Sequence, residues 1–164
     1  AILSTDIKYR LSGGASNSTA SASLGGAMST TTDAPASLWD DTSSAEAAAG
    51  RTEYRCVYVL NNNGTDSGTN GKIWIQSNTT SADDTLDIGI GTAAIGGTEQ
   101  TVANETTAPT GVTFSSAANE GAALTIGTLA AGQGRSVWIR RTTNAGAAAT
   151  ASNAYTIRAK FDTV

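Results

Sequence analysis

The stretch Leu124–Arg141, LTIGTLAAGQGRSVWIRR, decides how the chain is read. Leu124 and Ile126 alternate with Thr125 and Gly127, and Val137 and Ile139 alternate with Ser136, Trp138 and Arg140. Successive side chains of a strand point to opposite faces, so this period of two marks strands with one dry face and one wet face. Between the two runs, Ala130-Ala131-Gly132-Gln133-Gly134 supplies small residues for a turn. The segment therefore predicts two antiparallel strands in a two-sheet β domain. The aliphatic residues claim the inner face, which leaves Trp138 outside beside Ser136 and Arg140.

The same pattern recurs in both directions. Asp6–Leu11 sets Ile7, Tyr9 and Leu11 against Lys8 and Arg10. Glu53–Leu60 carries Tyr54, Cys56, Tyr58 and Leu60 on one face and Val57 and Val59 on the other, as a central strand would. Lys72–Gln76 opposes Ile73 and Ile75 to Trp74. Thr85–Gly91 points Leu86, Ile88 and Ile90 inward, with Asp87 and the glycines outward. Tyr155–Phe161 closes the chain with Tyr155, Ile157, Ala159 and Phe161 in and Arg158 and Lys160 out. Val112–Phe114 adds a short strand, while Pro109 keeps the rest of 93–113 as loop or edge. One short helix is predicted over Ser43–Gly50, because Ser43 and Glu46 have capping-box spacing and Gly50 is placed to stop it. The expected fold is all-β: one sandwich or jelly roll of about eight strands spanning residues 1–164. Two tracts rich in Ala, Gly, Ser and Thr interrupt it, an irregular arm over about 12–42 and a loop over Thr142–Asn153.

Composition excludes several kinds of chemistry. The 164 residues contain no histidine, so a Ser-His or Cys-His nucleophile cannot be built. The net charge is −4 and the few cations are scattered apart from Arg140-Arg141, which argues against nucleic acid as a partner. No stretch is long and apolar enough to cross a membrane. The single cysteine, Cys56, lies within a strand and reads as a small buried apolar residue. Ala1 follows either removal of an initiator Met or a processing cut; the first is the favoured reading and implies synthesis in a cytosol. Charged residues make up only 15% of the chain, and roughly half of it is Ala, Gly, Ser and Thr. Such a surface is easily dehydrated and points towards assembly.

Candidate sites follow from these faces. Trp74 and Trp138 each share an outer face with polar or cationic residues, either covered by the stems of Lys72 and Arg140, forming a protein-binding patch, or serving as a sugar-stacking platform. The acidic groups Asp40-Asp41 and Asp83-Asp84 with Asp87 match no calcium loop, and the first pair is explained by the dipole of the following helix. No catalytic residue, metal ligand or cofactor site is predicted.

Three segments carry a resemblance. They are Asp6-Ile7-Lys8-Tyr9-Arg10-Leu11-Ser12-Gly13-Gly14, Ser23-Leu24-Gly25-Gly26-Ala27, and Leu38-Trp39-Asp40-Asp41 running into Tyr54-Arg55-Cys56-Val57-Tyr58-Val59. Together they resemble small virion structural proteins of tailed bacteriophages, in character the cement or decoration proteins that coat capsids. The resemblance implies a non-enzymatic sandwich, made in the host cytoplasm and resident in the virion. Its partners would be the major capsid protein or other virion proteins and further copies of itself. Neck, tail or baseplate proteins are the nearest alternative, and a carbohydrate- or receptor-binding module is the next. The contact residues expected on this reading are Ile2, Leu3, Leu24, Met28, Trp74, Trp138 and Arg140.

Overall fold

A computed structural model describes residues 1–163. It is an all-β sandwich of nine strands in three sheets, with one helix. The strands are β1 (Ile7–Leu11), β2 (Gly25–Gly26), β3 (Arg51–Asn61), β4 (Gly68–Ser77), β5 (Asp84–Ile90), β6 (Glu99–Thr101), β7 (Leu124–Leu129), β8 (Gly134–Thr143) and β9 (Thr156–Thr163). One sheet has the order β1-β3-β8-β5, a second β7-β4-β9, and β2 pairs with β6 in a third. All pairings are antiparallel, and the β4–β7 pair is nested in sequence inside the β3–β8 pair.

The predicted faces meet as the alternation requires. Val57 and Val59 of β3, Ile88 of β5, Val137 and Ile139 of β8 join Ile73, Ile75 and Ile126 of the opposing sheet in one core. The helix α1 (Ser44–Ala49) forms where its caps demand. Glu46 N–H donates to Ser43 Oγ, Ser43 N–H donates to Glu46 Oε2 at 2.7 Å, and Gly50 turns the chain out at φ +75°.

The four-stranded sheet is dry on its second face as well. Tyr54, Cys56 and Trp138 form a separate cluster there with Val102, roofed by Leu24, Val112 and Phe114. The roof is made of loops, namely the 12–42 arm and the 91–117 segment. The arm is sewn to the strands by backbone hydrogen bonds. Leu11 N–H donates to Thr32 O, Ala34 N–H to Tyr9 O, and Cys56 N–H to Ser23 O. Gly25, at φ +96°, lies so close to Gln100 that a Cβ would collide with its carbonyl oxygen, which lets β2 pair with β6. The molecule thus has three layers where the alternation predicted two.

That extra layer corrects three expectations. Trp138 is fully buried (0% exposed) and forms no outer patch. Gly89 of β5 is covered: a Cβ on it would strike Val112 and Thr113. Val112–Phe114 is not a strand but part of the roof, with Ser115 bridging to Ile88 just beyond it.

Candidate interaction surface

Trp74 keeps to the side of β4 that carries Gln76, whose Oε1 accepts its indole N–H at 2.8 Å, yet it is only 4% exposed. The chain after β5 closes that flank, where Ile75 N–H donates to Ala117 O and the 3-10 turn Glu120–Ala122 packs on β4. Neither indole therefore offers a face to a partner, and the expected tryptophan patch does not form. The Arg140 guanidinium lies 4.8 Å from the Phe114 ring and pairs with Asp87 at 2.6 Å. Leu24 is half-buried in the roof, and its carbonyl accepts from Val102 N–H. Met28 is half-buried beside Gly134, at the start of β8.

Ile2 and Leu3 behave differently. They line an open groove between β1 and β9 with Ile7, Tyr9, Ile157 and Phe161. Leu3 is the one exposed large apolar residue among those described, at 63%. The segment is fixed rather than loose. The Ala1 amine pairs with Asp66, Ile2 N–H donates to Thr163 Oγ1 at 2.9 Å, and Leu3 N–H donates to Asp6 Oδ2 at 2.8 Å. The bond from Leu3 N–H, with a second from Asn63, holds the Asp6 carboxyl below its usual range. The groove floor is dry enough that burial pushes the Tyr9 phenol up to about 12.

At one end of the sandwich the core becomes ionic. Arg51, Glu53 and Arg55 succeed one another at every second position of β3, with Arg141 of β8 opposite Glu53. Arg51 pairs with Glu46, Glu53 and Glu105; Arg55 with Glu105 at 2.7 Å and Asp40 at 3.7 Å; Arg141 with Glu53. Two guanidiniums lie against the Trp39 ring, Arg55 at 5.1 Å and Arg141 at 4.9 Å from its centroid. Carboxylate oxygens of Asp40, Glu53 and Glu105 approach within 4.8 Å of one another. A divalent cation would favour such a set, but three guanidiniums already occupy its neighbourhood and supply the positive charge. Asp40 therefore serves Arg55 and not the helix dipole, correcting the sequence expectation; the acid in the first helical turn is Glu46. The other acidic group is dispersed as well. Asp83 accepts from Ala148 N–H, Asp84 from the Thr143 hydroxyl, and Asp87 binds Arg140.

A buried carboxylate went unnoticed in the sequence. Glu99 is 3% exposed and accepts four hydrogen bonds. Oε1 takes the Thr92 hydroxyl at 2.7 Å and Gln100 N–H at 2.9 Å; Oε2 takes the Ser136 hydroxyl at 2.6 Å and Ala93 N–H at 3.2 Å. Its own N–H donates to the Tyr58 hydroxyl, which donates to Gly26 O. Burial alone would raise the Glu99 pKa, but the four donors outweigh it and hold the carboxyl below its usual range. Gly91 leaves the space this carboxylate fills, since a Cβ there would overlap Glu99 Oε2 and Ser136 Oγ. The cluster ties the arm, the 91–101 loop and β8 together. Nothing in the local spacing of Glu99 distinguished it from a loop acid.

Cys56 is buried and unpaired, as the sequence predicted, and burial raises its thiol pKa. No helix among the described residues is long and apolar enough to cross a membrane. No family model matches the chain, no curated protein matches it, and no solved structure matches it.

Proposed function

We propose that this chain is a non-enzymatic structural protein of a phage virion, a cement or decoration protein that binds the capsid shell and stabilises it. The observation that carries the reading is the fixed apolar segment Ile2–Leu3, presented on the rim of an open groove by a body whose loops are bonded down. Such a body loses little conformational freedom on docking, so a modest apolar contact suffices. A few hundred Å² buried at about 25 cal/mol per Å² is weak for one copy. Repeated over a symmetric lattice, with copies also touching one another, it becomes effectively irreversible. The functional groups fit this role, because Arg51, Arg55, Arg140 and Arg141 bind carboxylates within the fold and Glu99 binds four internal donors.

Of the expected contact residues, Ile2 and Leu3 remain; Trp74 and Trp138 are withdrawn, and Leu24, Met28 and Arg140 are engaged within the fold. The receptor-binding alternative rested on exposed aromatic side chains and loses that support. The test is to mix the protein with undecorated shells and measure bound copies per shell subunit. Saturation at a fixed ratio, abolished by Leu3→Asp with the fold intact, is expected. Absence of binding to shells, with binding to tails or necks instead, moves the protein to that part of the particle.

A further inference from the structure

We propose that Asn63 is a self-modification site: the Gly64 nitrogen converts its side-chain amide into a carboxylate, and the change unlocks the N-terminal segment. The sequence holds two Asn-Gly pairs, Asn63-Gly64 and Asn70-Gly71. A glycine lacks the Cβ that would hinder its own nitrogen, so that nitrogen can reach the preceding Asn side chain. The fold separates the two pairs. Asn63-Gly64 lies in the connection between β3 and β4. Gly64 is exposed, its N–H makes no backbone hydrogen bond, and a Cβ built on it would meet nothing within 4 Å. Asn70-Gly71 lies inside β4, where Gly71 is paired with Gly127 and buried under Phe161; a Cβ on it would stand 2.2 Å from that ring. Closing a ring there would pull the strand off its sheet.

The surroundings of Asn63 favour the reaction. Attack on Cγ moves negative charge onto Oδ1. Two backbone donors already aim at this oxygen, Thr65 N–H at 2.9 Å and Asp66 N–H at 2.8 Å. Fixed donors at such an oxygen stabilise the charge as it develops. A bond forms between the Gly64 nitrogen and Cγ, and the Cγ–Nδ2 bond breaks. Nδ2 leaves as ammonia, with the proton that the glycine nitrogen gave up through solvent. Water then opens the five-membered imide at either carbonyl, giving aspartate or isoaspartate. In sum one water enters and one ammonia leaves.

Asn63 is also the clasp of the segment that carries Ile2 and Leu3. Its Nδ2 donates to Asp6 Oδ2 at 3.0 Å and to Ala1 O at 3.4 Å. The same Asp6 oxygen accepts from Leu3 N–H, and Asp66, whose N–H is bound to Asn63 Oδ1, pairs with the Ala1 amine. After conversion an anion replaces the donor and faces both Asp6 and the Ala1 carbonyl. Like charges this close resist ionising together, and isoaspartate adds a backbone carbon that shifts the turn. The wall of the groove is thus fixed in new protein and loosened in aged protein.

The reaction does not depend on shell binding and is followed on the full chain alone. After ageing at mildly alkaline pH, tandem mass spectrometry should place the one-dalton gain on Asn63 about ten-fold or more above Asn70, the ratio that a barrier difference of about 1.4 kcal/mol produces. Isoaspartate should accompany aspartate, because the imide opens both ways. Gly64→Ala should slow the gain about ten-fold or more with an unchanged Tm, since the position is open and its backbone is not left-handed. In Asn63→Asp the Ile2 and Leu3 amides should exchange hydrogen about ten-fold or more faster than in wild type, while the amides of β3 keep their protection. Conversion at Asn70 equal to that at Asn63, aspartate without isoaspartate, or a Gly64→Ala variant that ages like wild type would overturn the site. Unchanged exchange at Ile2 and Leu3 in Asn63→Asp would overturn the release.

Discussion

Replacing Glu99 by Gln tests whether the third layer is held down by a carboxylate. The substitution keeps the shape and replaces one oxygen by an NH2 group. Each carboxylate oxygen accepts one hydroxyl and one backbone N–H, from Thr92 and Gln100 or from Ser136 and Ala93. The hydroxyls can rotate and become acceptors, but a backbone N–H cannot. Either amide orientation therefore sets a donor against a donor, and a buried unsatisfied donor costs about 1–3 kcal/mol. Losing the charge assistance on the remaining bonds adds about 1 kcal/mol. The expected loss is about 2–4 kcal/mol at pH 7, or roughly 5–15 °C in Tm for a chain of this size.

The pH dependence sharpens the test. The carboxyl is held below its usual range in the folded protein, so its stabilisation is complete above the unfolded pKa and is lost as pH falls through the folded one. Urea unfolding of both proteins between pH 7 and pH 3 should show the gap narrowing on acidification. A Gln variant within about 0.5 kcal/mol of wild type at pH 7, which is the range of an ordinary surface change, would refute the reasoning. So would an unchanged gap at low pH.

Trp138→Ala should destabilise the fold by about 3–5 kcal/mol in urea, because it empties the centre of the second cluster; combined with Trp74→Ala it should leave no cooperative transition at 37 °C. Arg141→Ala should cost about 3–5 kcal/mol, since Glu53 is buried and keeps only Arg51. In the same variant limited proteolysis should cut near Trp39, which loses one of its two stacked guanidiniums. Cys56 should resist a thiol reagent at pH 8 in the folded protein and react fully in denaturant, burial having raised its pKa.

Seven of the nine strands were legible in the sequence because hydrophobic alternation is a local signal. Val137 and Ile139 point to the main core, and Trp138 points the other way, as read. Alternation names the face of a residue and says nothing about whether that face meets water. Alternation alone places Trp138 outside, because the roof that buries it comes from residues far along the chain, Leu24 and Val112–Phe114. The strands β2 and β6 escaped notice for a related reason: two and three residues long, they are defined by each other and not by a pattern of their own. The arginine pair on Trp39 had a readable half, the Arg51-x-Glu53-x-Arg55 alternation on one face of β3. Its other half, Arg141, is supplied only by strand register.

The roofing of the four-stranded sheet by loops inverts the usual rule about where foreign sequence can be spliced. The 12–42 arm and the 91–117 segment look like connections but have the packing of walls, and a peptide inserted into either would pull Leu24 or Phe114 off the tryptophan beneath. The run Ala148–Ala154, exposed throughout and joined to the body chiefly through Asp83 and Asn153, is the place where an epitope or a fluorescent tag can be carried.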